Sequence, residues 1–315
     1  RIRGQSTASQ APESLIYVDG VRLYNHPIGL GGASRAAITP LQDIPAEDIA
    51  RIEVIKGASA TTLYGTEASG GVIQIFTKRG VAGDPVWNGE ISVGMSEMGR
   101  IGTEADPTQM FTQCGNTEQL FGLSESEETL GERIYFEDPT CPSDGDWFET
   151  GTPTNYSLSV RGGSERIGYY VSGTYGDVDG TLPAQRSTDG SLRGNFDFAP
   201  IEDLRVSLNT AYVRRSSRFV EDGNNANGFL LNVGRGTSGN YKGGKGDECD
   251  TVEVLCVSNG YLFESENTAV SDRYTTGLII QYDPIENLDN RNAIGWDYYK
   301  LEYEEWEPFG YLRDP

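Results

Sequence analysis

The chain has 315 residues, a formal net charge of −22 and a mean hydropathy of −0.46. That length holds one large or two ordinary domains, and no run of about 18 apolar residues reads as a transmembrane helix or a signal-peptide core. The acidic balance argues against nucleic acid and anionic surfaces as electrostatic partners. Glycine, at 40 residues, is abundant and tyrosine outnumbers phenylalanine 17 to 11, a composition of strands and loops.

Residues 1–14 read as a tail or loop, and the start without Met implies a chain processed or cut from a longer product. Ser14–Val18 is a short strand, Asp19-Gly20 a turn, and Val21–Tyr24 can pair back as a hairpin. Residues 26–40 are rich in Gly and Ala and irregular. Pro45, followed by Ala46-Glu47-Asp48, suits the first turn of a helix. An organising stretch then runs from Ile44 to Gly80. An apolar run around Arg51–Lys56 meets Gly57, a small-residue segment Ala58–Tyr64 follows, and Gly65, Gly70 and Gly71 form a turn. A second apolar run, Val72–Phe76, is closed by Lys78, Arg79 and Gly80. This predicts strand, short helix, turn, strand. A glycine-rich turn beside a lysine invites a phosphate-loop reading, but the spacing GxxxxGK[ST] is absent.

From Trp87 the period becomes two. Trp87, Gly89, Ile91, Val93 and Met95 share one face, with Asn88, Glu90 and Ser92 on the other. The pattern returns in Tyr156-Leu158-Val160, Ile167-Tyr169-Val171-Tyr175, Leu192-Phe196-Phe198, Leu204-Val206-Leu208-Tyr212 and Tyr274-Leu278-Ile280-Tyr282, and more weakly around Ile294-Trp296-Tyr298. Strands of about 9–11 residues suit a tilted crossing of a bilayer. Aromatics near the strand ends (Trp87, Tyr156, Tyr175, Tyr212, Tyr274, Trp296) fit interfacial girdles, or the core of a soluble sheet.

The connections alternate in length. Gly163–Glu165, Ala199–Asp203 and Asp283–Asn287 are tight, while 97–153, 177–190 and 214–271 are long and polar. Two of the tight turns are near-repeats, Ala-Pro-Ile-Glu-Asp-Leu at 199–204 and Asp-Pro-Ile-Glu-Asn-Leu at 283–288. An up-and-down meander with turns on one side and loops on the other is the pattern of an outer-membrane barrel. Glu97–Glu149 carries thirteen acidic residues against Arg100 and Arg133, on the long-loop side. The four cysteines also lie there. Cys114 with Cys141 and Cys249 with Cys256 make two local disulfides in an oxidising compartment, with free buried thiols as the alternative. About seven strands cannot close around a preceding domain, since a plugged barrel needs about 22. The expected fold is therefore an α+β unit at 1–83 and an incomplete antiparallel transmembrane β-barrel at 84–315.

The residues Tyr17-Val18-Asp19-Gly20-Val21, Ile44-Pro45, Arg51-Ile52-Glu53-Val54-Ile55-Lys56-Gly57, Leu63-Tyr64-Gly65 and Gly70-Gly71-Val72-Ile73-Gln74-Ile75-Phe76-Thr77-Lys78 closely resemble the C-terminal part of the plug domain of TonB-dependent outer-membrane receptors. Lys-Gly-Ala-Ser-Ala-Thr at 56–61 and Thr-Lys-Arg-Gly at 77–80 are similar to the SusC/RagA-type branch. The resemblance implies a plug inside an outer-membrane barrel, with the rest of the plug before Arg1 and most of the barrel after Pro315. It also implies active import of a nutrient, a glycan or peptide oligomer, with no enzyme activity and no cofactor. The implied partners are the TonB complex, a SusD-like lipoprotein and outer-membrane lipid. Arg51, Glu53, Lys56, Gly57, Tyr64, Gly65, Gly70 and Gly71 become the plug-motif residues, the glycines serving tight turns. Arg51 and Glu53 are the first candidates for ion pairs with the barrel wall. The ligand-facing apex is expected near Val21–Ala37 or in the glycine-rich turns.

Other residues point to less. His26, the single histidine, supports no catalytic or metal site by itself, and Glu125, Glu127 and Glu128 lack the order of a calcium loop. The competing function is a secreted, disulfide-stapled β-protein that binds carbohydrate or acts in adhesion.

Overall fold

The computed structural model describes residues 14–26, 28–29, 37–38, 40–97, 117–118, 135–136, 148–220, 266–285 and 287–306. All four cysteines, and with them both expected disulfides, lie outside the described residues, as do Glu125, Glu127 and Glu128.

The first unit turns on an aspartate–glycine pair. Asp19 (φ 48°) and Gly20 (φ 87°) both adopt the left-handed conformation that a two-residue hairpin turn requires. They join β1 (Leu15–Val18) to β2 (Val21–Leu23). A two-residue ladder of β3 (Ile28–Gly29) with β4 (Ala37–Ile38) comes next, then single helical turns at Pro40–Asp43 and Ala46–Asp48. The organising stretch folds as β5 (Ile49–Ile55), α1 (Gly57–Tyr64), a turn at Thr66–Gly70 and β6 (Val72–Thr77). Gly65 (φ 80°) ends the helix, and Gly71 (φ 92°) turns the chain into β6.

These strands form one sheet in the order β2-β1-β6-β5, with β1 parallel to β6 and the other pairs antiparallel. On the central strands β1 and β6 both faces are covered, while the edge strand β5 is largely exposed. On one face, Leu15 and Val72 pack with Ala60 and Ala68, and Tyr17, Ile55 and Tyr64 rim the cluster. The two alanines are fully buried, so the small-residue segment lets α1 lie close on the sheet. On the other face, Ile16, Val18, Leu23 and Ile75 form the second cluster.

After β7 (Gly83–Val93) the two-residue strands β8 (Thr117–Glu118) and β9 (Tyr135–Phe136) pair with each other. The large sheet continues with β10 (Pro153–Gly163), β11 (Ile167–Asp179), β12 (Arg186–Ile201), β13 (Leu204–Phe219), β14 (Glu266–Ile285) and β15 (Leu288–Trp306). Its order is β15-β14-β13-β12-β11-β10-β7, antiparallel throughout, and its two edges do not meet. The three tight turns stand where expected, between β10 and β11, β12 and β13, and β14 and β15. β7 and β10 have 11 residues, within the expected 9–11, and the later strands are longer, reaching 20 in β14. Apolar alternation marks only the middle of each strand. Backbone pairing runs on into polar sequence, so the connection expected at 177–190 shrinks to 180–185.

The amphipathy of this sheet is the inverse of a soluble one. Ile91, Leu158, Val171, Leu192, Ile294 and Trp296 project outward and are exposed. The opposite face is polar and covered: Ser172, Arg193, Asn195, Ser207, Asn209, Ser271 and Arg273 are buried there. On the outer face Tyr212, Tyr274 and Tyr298 form a cross-strand row, with Arg214, Asp272 and Lys300 as the next row toward the long loops. Apolar, then aromatic, then charged is the depth profile of a bilayer's edge.

Candidate functional site

The small sheet sits against the polar face of the large one, and buried charge joins them. Asp48, at the end of the Ala46–Asp48 turn, is 1% exposed. Its Oδ1 accepts from Tyr170 Oη at 2.9 Å and Ser172 Oγ at 2.5 Å, and its Oδ2 from Arg193 Nε at 2.9 Å. The three donors come from β11 and β12. Pro45 begins the turn that aims this carboxylate at the wall.

A second junction surrounds the end of β6. Asp19, inside the tight turn, accepts from the Thr77 amide at 3.1 Å and Thr77 Oγ1 at 2.5 Å. Asn195 on β12 donates to Thr77 Oγ1 and to the Lys78 carbonyl, each at 2.7 Å. Arg79 then reaches Asp197 on the wall at 2.7 Å, and Ser207 donates to the same carboxylate at 2.5 Å.

The third junction is Arg273 on β14, 3% exposed. It grips Asp297 of β15 with Nε at 2.9 Å and Nη2 at 2.8 Å. Its remaining donors reach the carbonyls of Pro40 (2.8 Å) and Tyr24 (2.9 Å) in the small unit. The Tyr24 amide donates back to Asp297 at 2.8 Å. Asp43 lies beside this group, 3.9 Å from both Arg215 and Arg273. Burial pushes its carboxyl above the usual range, and the two arginines pull it part of the way back. A crevice of about 310 Å³ opens next to it, between the Asp43–Glu47 segment and the long-loop ends of β7 and β10–β13. Glu47, Asn155, Asp189 and Arg215 line it, and Asn155 donates to Glu47 at 2.7 Å.

The residues singled out in the sequence are placed differently. Arg51 and Glu53 pair with each other at 2.8 Å, both exposed, and Arg51 lies over the Phe76 ring at 3.9 Å. They do not reach the described wall strands, because that face of β5 looks away from the large sheet. Lys56 is exposed, immediately before α1. Tyr64 lies tilted against Tyr17, with ring centroids 5.2 Å apart, and accepts a hydrogen bond from Gln74. Gly65 and Gly71 have the expected positive φ; Gly57 and Gly70 do not, and Gly70 instead offers its carbonyl to Ser14 Oγ at 2.8 Å. Val21, expected near the apex, is buried. His26 meets Tyr24 edge-on at 5.6 Å. The wall contacts fall to Asp43, Asp48, Thr77 and Arg79, with Arg193 and Arg273 among the groups opposite. Their signal in the sequence was position: both arginines occur in phase with the polar face of an alternating strand.

The model of the TonB-dependent Receptor Plug Domain family matches residues 1–72. TonB-dependent receptor P3 of Formosa agariphila is 25% identical over 98% of this chain and 29% of its own length. TonB-dependent receptor SusC of Bacteroides thetaiotaomicron is 27% identical over 73% of this chain and 22% of its own. The chain is similar to the TonB-dependent receptors, in their SusC/RagA-like branch. It is thus part of an outer-membrane β-barrel protein, and its small sheet is plug and its large sheet barrel wall. The solved structure of the RagAB peptide importer in the closed-closed state shares the fold, with a TM-score of 0.65 and 18% identity over 96% of this chain and 36% of that one. The receptor chain therefore spans about a third or less of the proteins it matches.

Proposed function

We propose that the receptor imports a nutrient oligomer, a glycan or a peptide, across the outer membrane by moving a plug inside a β-barrel. The observation that carries this reading is the plug–wall interface. It is a set of buried ion pairs and hydrogen bonds between two covalently linked sheets, where a permanent core would be apolar. Such an interface holds in one arrangement and re-solvates in another, since water supplies equivalent partners to each freed group. The plug unit is assigned to residues 1–83 and the wall to 84–315. Arg51, Glu53, Lys56 and Tyr64, with Gly57, Gly65, Gly70 and Gly71, serve the plug's shape and movement. Ligand is held on the long-loop side, where the crevice beside Asp43 and Glu47 opens. The TonB complex supplies the energy, and a SusD-like lipoprotein covers the mouth. No bond in the ligand is broken. Cys114–Cys141 and Cys249–Cys256 staple the outer loops.

The test is uptake by cells carrying the full-length receptor. Labelled oligosaccharides and labelled oligopeptides of matched size are offered with the inner-membrane complex energised and then inactivated. Energy-dependent accumulation of one class is expected. A detergent-independent, soluble and monodisperse protein that binds carbohydrate without transporting it would favour the secreted-module reading instead.

A further inference from the structure

Gly277 on β14 and Gly295 on β15 are cross-strand partners on the inner face of the wall. Neither has the positive φ that would demand glycine. Their neighbour explains them. A Cβ at 277 would stand 2.6 Å from Cγ2 of Val21 and meet nothing else within 4 Å. A Cβ at 295 would stand 2.9 Å from both Val21 methyls and 3.2 Å from its Cβ. Other glycines of the sheet are either open, as at Gly89 and Gly190, where the nearest atoms are 3.8 and 3.9 Å away, or crowded by the sheet's own side chains, as at Gly176 by Asp189 and Gly194 by Phe196, each at 2.8 Å; at 277 and 295 the intruding atoms come from the small sheet. Glycine inside a strand weakens it, so its pairing across two strands calls for a close approach by another part of the chain.

That approach is made by the β1–β2 hairpin. Gly20 lies over Arg291 and Ile279, with 3.7 and 3.8 Å to a Cβ placed there. Val21 fills the notch beside it and is buried. Tyr24 then exchanges main-chain hydrogen bonds with Asp297 and Arg273. The hairpin thus follows the seam between β14 and β15. Along each strand the notch is bounded on the same face by side chains two residues away, Thr275 and Ile279 on β14, Ala293 and Asp297 on β15.

We infer that Val21 is a positioning residue: seated in the Gly277–Gly295 notch, it sets the height at which the plug docks on the wall. Thr275, Ile279, Ala293 and Asp297 block sliding along the strands, so the hairpin leaves by lifting off the seam. The Tyr24–Asp297–Arg273 bonds form only at this height. The inference rests on the gating reading for its role in transport, but the notch itself is tested without it.

The full-length receptor is prepared as wild type and as Gly277→Ala, Gly295→Ala, Val21→Ala and the two Val21→Ala doubles. Amide hydrogen exchange of Leu23 and Tyr24 is measured in detergent, and entry of a large hydrophilic dye is measured in cells. Gly277→Ala is expected to speed exchange about tenfold by lifting the hairpin. Adding Val21→Ala removes the colliding methyl and restores slow exchange. At Gly295 the same addition rescues only in part, because the Val21 Cβ still stands 3.2 Å away. Unchanged exchange in Gly277→Ala, or no rescue by Val21→Ala, overturns the notch. The expected exchange pattern without dye entry in Gly277→Ala keeps the notch and overturns its place in gating.

Discussion

The plug and the wall are built from similar residues with opposite rules of burial. In the plug sheet Ile16, Val18, Leu23 and Ile75 point inward, and Ala60 of α1 with Ala68 of the turn after it closes the other face. In the wall the inward side chains are Arg193, Asn195, Asn209 and Arg273, while Leu192, Ile294 and Trp296 point outward. The difference lies in what each face meets. A sheet in water must hide its apolar side, whereas a sheet in lipid must hide its polar side and satisfy it there. The wall's hidden polar face then needs donors and acceptors, and the plug provides them as Asp48, Thr77, Lys78 and Tyr24.

The strongest way to break this relation is Asp48→Ala. It leaves Arg193 buried without its carboxylate, and losing one partner of a buried pair costs about 3–5 kcal/mol. Amide exchange across the plug of the full-length receptor should rise accordingly. An accompanying Arg193→Met should recover most of the loss, since an apolar replacement of the whole pair avoids the orphaned charge. On the outer face, Leu278→Arg places a charge in the row Leu208–Leu278–Ile294. At mid-bilayer that costs about 2–4 kcal/mol in the folding equilibrium into lipid vesicles. Thr268→Arg, on the same face but beyond the Arg214–Asp272–Lys300 row, should cost only about 0–1 kcal/mol. Equal costs at the two positions would remove the assigned depth.

The wall was legible in the sequence because its signals are local. Alternation chose the outward residues, and the tight turns at 199–204 and 283–288 fixed the meander. Strand ends were not legible, because β12 continues through Arg186–Gly190, where side-chain pattern no longer reports pairing. The plug's local order was equally clear from Asp19-Gly20 and from Gly65 and Gly71. The junction was not. Asp48 and Arg193 stand 145 residues apart, and alternation says which face a charge occupies but not what it meets. Arg51 and Glu53 were the natural candidates by proximity to the motif, yet strand spacing puts them two residues apart on one face, where they satisfy each other.

Asp43 sharpens the comparison through pH. Its carboxyl is raised because burial disfavours its charge, with Arg215 and Arg273 acting against that and Asp189 and Asp297 adding to it. The native state therefore holds this proton to higher pH than the unfolded chain does. Its contribution to stability is complete below the ordinary carboxylate value near 3.8 and is lost as pH rises toward the raised native value. Plug docking followed by amide exchange should weaken across that window, and Asp43→Asn should flatten the profile. A slope of the opposite sign would mean that the arginines outweigh burial.

The smallest effect is expected at the motif's own ion pair. Arg51 and Glu53 are 61% and 51% exposed, so water and salt screen their attraction and each long side chain gives up rotamer freedom to make it. Glu53→Gln should change plug stability by less than about 1 kcal/mol and become undetectable in high salt. Exchanging the pair, with Glu at 51 and Arg at 53, should restore the contact but forfeit the stacking of Arg51 on Phe76, which lies 3.9 Å below the guanidinium. The swap is thus expected to remain slightly weaker than wild type at every salt concentration, because the cation–aromatic contact is less sensitive to screening than the exposed ion pair. If Glu53→Gln instead matched Asp48→Ala, the β5 edge would meet a buried surface in the full-length receptor, and the division between exposed motif and buried junction would have to be redrawn.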